Sequence, residues 1–155
     1  MTLSATTLAT ELKALSLYDT EAAAITAWAG AFGTYFQGAQ SNAVVIVSGS
    51  IAVAETAMIG AATGLATGAG TALQAGITAF WGALVPAIAW PTTTVITPPG
   101  LLAGMGAALD AVFASNMAEA LDKNTCMTNI ANIIHANVQG GTATWPLPIG
   151  PAVIT

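Results

Sequence analysis

Between Glu21 and Asp110 the chain holds one formally charged side chain, Glu55, and from Thr56 to Leu109 it holds none. Any fold must accommodate that gap. About a quarter of the residues in an ordinary soluble domain are charged, and they cover much of its surface. Here the share is 6% of 155 residues: Glu11, Lys13, Asp19, Glu21, Glu55, Asp110, Glu119, Asp122 and Lys123. The exterior must therefore be covered by lipid or by other chains, or coated with Ala, Thr, Ser, Gly and Asn. Disorder does not fit, because disordered segments combine few apolar residues with much charge, whereas 55% of this chain is hydrophobic. At this length a single domain is expected.

Charge also limits the partners. Lys13 and Lys123 are the only basic side chains besides His135, too few for the basic stripe that neutralises phosphates, so no nucleic-acid partner is expected. The formal net charge of −5 favours solubility before any assembly. The single cysteine, Cys126, leaves no intramolecular disulfide and no multi-cysteine zinc site; it reads as a small apolar filler. The start, MTLSATTLATELKAL, has no basic segment and places Glu11 where a secretory leader needs apolar residues. Cytoplasmic synthesis is the expectation.

The apolar spacing predicts about six helices. Leu8, Leu12 and Leu15 share one face of a helix over Thr6–Leu17. Asp19-Thr20 reads as an N-cap, with Glu21 placed to favour the helix dipole. Ile25, Trp28, Phe32, Tyr35 and Phe36 then recur at steps of three and four, and Gly38 is a candidate stop. The β-branched run Ala43–Val47 reads equally as an extended segment or as a helix start. A third helix is expected from Ser50 through Leu65. A fourth runs from Thr71 through Leu73, Ile77, Phe80, Trp81, Leu84 and Ile88, kinked or cut short at Pro86. Trp90–Gly100 reads as a linker. Pro99 opens a fifth helix carrying Leu102, Met105, Leu109, Val112 and Phe113. A sixth starts near Asn124, carries Met127, Ile130, Ile134 and Val138, and stops at Gly140-Gly141. The final TATWPLPIGPAVIT holds three prolines and is expected to be extended. ITAWAGAF at 25–32 resembles ITAFWGAL at 77–84, but one short pair among alanine-rich helices does not establish a duplication.

Whether the uncharged surface meets lipid or protein is decided by magnitudes. Ala72–Trp90 approaches the roughly 20 residues that cross a bilayer. Its strong inserters, Leu73, Ile77, Phe80, Leu84, Val85 and Ile88, together gain only roughly 2–4 kcal/mol on the insertion scale. Gln74, the small polar residues and Pro86 erode that gain. The apolar positions are also periodic, which points to one buried face, and no Lys or Arg flanks the segment to orient it. Packing against protein meets the same facts with less strain. Neutral helices of Ala and Gly approach closely without desolvating ions, and proline-rich arms lose little entropy when they dock.

No constellation for catalysis stands out. His135, the sole histidine, lies nine residues after Cys126, roughly 13 Å along one helix, so the two cannot meet within it. Glu119 and Asp122 read as a solvated face, and Asp110 is not spaced to join Glu119 on one. Gly60–Gly70 is glycine-rich but has no lysine for a phosphate loop. Isolated Glu55 reads as solvent-facing, or as paired across an interface with Lys13 or Lys123. Trp28 and Trp81 read as core, and Trp145 as an anchor into a neighbour.

AITAWAGAFGTYFQGA at 24–39, ITAFWGALVP at 77–86, VITPPGLLAGMGAAL at 95–109 and IIHANVQGGTATWPLP at 133–148 together resemble the small, uncharged, Ala/Gly-rich virion structural proteins of tailed bacteriophages. The resemblance spans most of the chain and carries no functional motif, so no site residue transfers with it. It implies a component of the tail, baseplate or neck.

The expectation is therefore an all-α protein: a small helical bundle of about five to six helices over residues 1–140, with an extended Pro-rich arm over 141–155. It is expected to be a non-enzymatic virion component that uses no cofactor or metal. Its partners would be other virion proteins and copies of itself, with no membrane. Trp145, Pro146, Pro148, Pro151 and Glu55 are the candidate interface residues. The alternative is a small membrane-active protein of the holin kind.

Overall fold

Six helices form where apolar side chains recur at helical spacing. In this computed structural model residues 3–16, 18–37, 39–41, 44–45, 51–84, 95–100, 102–145 and 150–153 are described. The helices are α1 (Ala5–Ala14), α2 (Glu21–Phe36), α3 (Ile51–Ala61), α4 (Ala69–Ala83), α5 (Leu102–Ala118) and α6 (Lys123–Val138). Each packs on its neighbours in sequence, and α6 returns to pack on α1, so the six close into a ring. The protein is an all-α bundle with a few short strands at its margins.

Each helix turns one stripe inward: Leu8 and Leu12 from α1, Ile25, Ala29, Phe32 and Phe36 from α2, Ala54 and Met58 from α3. Leu73, Ile77, Phe80 and Trp81 come from α4, Leu102, Met105 and Leu109 from α5, and Ile130, Ile134 and Val138 from α6. The centre is aromatic. The Phe32 and Phe80 rings meet edge to face at 4.8 Å, and Phe36 and Trp81 do so at 5.0 Å. Such pairs add about 0.5–1.5 kcal/mol to the burial itself.

Where the apolar side chains are small, the helices come closer. At the α4–α5 crossing, a Cβ on Gly70 would collide with the Gly106 carbonyl, and one on Gly106 would lie 2.8 Å from Gln74 Oε1. Gln74 uses that closeness, accepting a hydrogen bond from the Gly106 N–H at 2.6 Å.

The helix ends have identifiable causes. Thr20 caps α2, its hydroxyl accepting from the Ala23 N–H at 3.2 Å. Asp122 caps α6, accepting from the Asn124 and Thr125 N–H groups at 2.9 and 3.2 Å. It is therefore an N-cap rather than only part of a solvated face. Helix α1 stops at Ala14, three residues early, because Leu15 turns extended (ψ 138°). Helix α3 stops at Ala61 rather than Leu65, ahead of Gly64 with φ +84°. Helix α4 stops at Ala83, and Leu84 is already extended two residues before Pro86. Of the two readings for that proline, early termination is the observed one; Ile88 lies outside the described residues. Gly140 ends α6 at φ +89°, which an L side chain rarely adopts.

Strand β1 (Gln40–Ser41) pairs antiparallel with β2 (Val44–Val45), so the described part of the β-branched run is extended. In the former linker, β3 (Val95–Thr97) pairs with β4 (Thr142–Trp145), and β4 pairs with β5 (Gly150–Val153). The order is β3-β4-β5, all antiparallel, and β3 packs on α4. Of the expected arm, Gly141–Trp145 and Gly150–Val153 are described; the strand partners of β4 and β5 are β3 and each other. Pro151 sits in the edge strand β5, where proline is tolerated.

Candidate functional site

The charges are unevenly placed. Glu11 and Lys13 lie on α1, Asp19 and Glu21 at the start of α2, and Asp110, Glu119, Asp122 and Lys123 on α5, α6 and the turn between them. Helices α3 and α4 and their connecting loop carry only Glu55. That carboxylate does not face outward freely. It is half-buried against α2, where a Cβ on Gly33 would overlap Glu55 Oε1. Burial raises its pKa above the usual carboxylate value.

Several of the carboxylates on the charged side have structural roles. Asp110 accepts from the Gly70 N–H at 2.8 Å and so caps α4 from a neighbouring helix. Glu21 accepts from the Gly64 N–H at 2.6 Å, tying α2 to the α3–α4 loop. Glu119 accepts from the Ser115 hydroxyl at 2.9 Å. Lys123 Nζ donates to the Leu15 carbonyl, placing a cation beside the C-terminal end of α1. Among the described residues no group of three or more His, Cys, Asp or Glu is arranged to hold a metal.

The outward positions of α3 and α4 are Ala52, Val53, Thr56, Ile59, Gly60, then Thr71, Ala75, Thr78 and Gly82. Val53 is 62% exposed. Even the polar members are partly closed off from outside partners. Thr56 donates to the Ala52 carbonyl at 2.9 Å and Thr78 to the Gln74 carbonyl at 2.8 Å. Thr10, Thr26, Thr34 and Thr128 make the same bond four residues back on their own helices. A threonine bonded in this way has spent its donor. Two open hollows flank the loop after α3. One, of about 280 Å³, lies among Tyr18, Thr20, Glu21, Ala24 and Leu65. The other, of about 350 Å³, lies among Ala61, Thr63, Thr67, Thr71 and Ala75.

His135 has a partner that sequence spacing could not show. Its Nδ1 lies 2.7 Å from the Tyr35 hydroxyl, and its Nε2 lies 2.8 Å from the Gln139 amide nitrogen. Burial lowers the imidazole pKa and pushes the Tyr35 phenol well above its usual value. The phenol is therefore neutral at ordinary pH, and the contact joins α2 to α6 as a neutral hydrogen bond. Cys126 points elsewhere, its Sγ 3.5 Å from the Leu121 carbonyl.

Of the interface residues expected from sequence, Glu55 belongs to the α2–α3 contact, whereas Trp145 and Pro151 lie in β4 and β5. Their side chains, and Pro146 and Pro148 altogether, lie outside the described residues. Trp28 and Trp81 both pack with the core, Trp81 fully buried and Trp28 partly. Among the described residues no helix is long and apolar enough to cross a membrane. The chain matches no protein-family model, no curated protein and no solved structure.

Proposed function

We propose that this is a non-enzymatic structural protein of a tailed-phage virion, in the tail, baseplate or neck, that works through contacts with copies of itself and with other virion proteins. One observation carries the reading: none of the exposed positions of α3 and α4 holds a charged side chain, and their one carboxylate, Glu55, is half-buried beside α2. Covering such a face removes apolar surface from water and strips no ion of its hydration. The spent threonine donors lower the cost further, because a buried hydroxyl that keeps its hydrogen bond carries little penalty. The sequence resemblance supplies the virion setting.

Two fractions from infected cells test it. An antibody to the chain is expected to find it in density-banded particles, at constant copy number relative to the major capsid protein. Its retention in carbonate-washed membranes, with none in the particles, contradicts the proposal and favours a membrane-active protein.

A further inference from the structure

We propose that Tyr35 and His135 form an acid-sensitive clasp between α2 and α6, in which the buried phenol donates its hydrogen to His135 Nδ1 and loses that acceptor when the imidazole takes up a proton. The inference concerns the bundle itself and stands apart from the virion reading.

The direction of the bond follows from what each end can reach. Tyr35 is 2% exposed, and its ring lies among those of Phe32, Phe36 and His135. Among the described residues His135 Nδ1, at 2.7 Å, is the one hydrogen-bond partner of its hydroxyl. With the hydrogen on Nδ1, the phenol would accept it and its own O–H would be buried without an acceptor, at a cost of about 1–3 kcal/mol. The other end of the ring has no such constraint. Gln139 is exposed, and its carboxamide, 2.8 Å from Nε2, offers nitrogen or oxygen by a half-turn. The arrangement of lower cost puts the hydrogen on Nε2, donated to the Gln139 oxygen, and leaves Nδ1 to accept from Tyr35.

An imidazolium donates from both nitrogens. Gln139 and water accept readily from Nε2–H, but Nδ1–H now points at the phenol, whose O–H is left buried and unbonded. Nor does a neighbouring carboxylate offset the new charge. Helix α6 packs on α1 and α5. Lys123, at the start of α6 and about 18 Å from His135 along it, donates to the Leu15 carbonyl, so Glu11 and Lys13 on α1 lie toward that start. On α5, Asp110 is bonded to Gly70 and Glu119 to Ser115. On α2, Glu21 is about 21 Å from Tyr35 along the helix. The strands carry no ionisable side chain. Burial is the one cause that lowers the imidazole pKa, and no carboxylate among the described residues counters it. The clasp holds the last turns of α6, just before Gly140 with φ +89°, so its opening loosens that end of the helix.

Imidazole 15N shifts of the full chain report tautomer and titration together. Neutral His135 is expected as the Nε2–H form. Tyr35→Phe removes the donor that favours the neutral ring, so the His135 pKa is expected to rise toward its ordinary 6.5. An Nδ1–H form in wild type, or a pKa unchanged or lowered in Tyr35→Phe, overturns the assigned direction. Amide hydrogen exchange over Ile134–Val138, corrected for the intrinsic effect of pH, tests the clasp. It is expected to speed several-fold from about pH 7.5 to about pH 5 in wild type and to change little in His135→Gln, which has no ring to titrate. Equal responses of the two chains overturn the clasp.

Discussion

The two sides of this molecule solve one problem with different chemistry. On the α1, α5 and α6 side, charged groups finish the helix ends: Asp122 caps α6, Asp110 caps α4 across a helix boundary, and Lys123 sits at the end of α1. Helices α3 and α4 carry one charge of their own, Glu55, and borrow carboxylates from other helices, Glu21 at Gly64 and Asp110 at Gly70. Helices α3 and α4 meet closely at Gly76, α4 meets α5 at Gly70 and Gly106, and threonine hydroxyls on α3 and α4 return to their own backbones. One side is finished against water. The other is finished mainly by small uncharged side chains. A low total of charged residues therefore does not mean a uniformly greasy surface; it means a divided one.

The comparison breaks first at what both sides share, the aromatic centre. Phe80 from α4 packs edge to face on Phe32 from α2 and against Phe36. Phe80→Ala is expected to cost about 3–5 kcal/mol in urea unfolding. A loss under about 1 kcal/mol would mean that the two sides do not depend on a common core.

Glycines sharpen it next. Gly70→Ala is expected to destabilise by about 1–3 kcal/mol, because its methyl group meets the Gly106 carbonyl. Gly30→Ala, in mid-α2 with nothing near the added methyl, should instead stabilise by about 0.5–1 kcal/mol. The same sign at both positions in thermal unfolding would refute the close α4–α5 approach. At the end of α5, Ala120 holds φ +50° and the Leu121 N–H bonds back to the Asn116 carbonyl. Ala120→Gly relieves that conformation and should stabilise by up to about 1 kcal/mol.

The smallest effect is pH-dependent. His135 has its folded pKa lowered below 6.5 by burial beside Tyr35. Its contribution is thus fully present above about 6.5, and it is lost as pH falls from there through the lowered folded value. Glu55, whose pKa is raised above 4.5 by burial, changes in the opposite sense at lower pH. Subtracting the profile of His135→Gln from wild type isolates the histidine. A difference that stays flat below pH 6.5 would show that the imidazole is not held neutral.

Much of the bundle was legible because its signals are local. The Ile25, Phe32 and Phe36 stripe, the Thr20 cap and the Gly140 stop all act within a few residues. Asp122 is exposed, as a solvated face requires, but its capping role was not legible, because a carboxylate between two helices looks the same whether it caps or only meets water; the Thr125 amide three residues on decides it. The Tyr35–His135 contact spans 100 positions, and the Asp110–Gly70 cap spans 40. Neither has a periodic signature. Trp90–Gly100 was legible as a connection between helices, but the pairing of Val95–Thr97 with Thr142–Trp145 joins segments far apart in sequence and has no local signal. The uncharged outer face was visible in composition. That Glu55 is half-buried beside α2 is visible only in the structure.

Sedimentation equilibrium of the purified chain in detergent-free buffer, followed over a wide concentration range, tests most directly whether protein covers that face. The predicted result is reversible association that strengthens with moderate salt, as the −5 charges on each copy are screened. A single monomer mass at every concentration, or a chain that stays dispersed only in detergent, would contradict it.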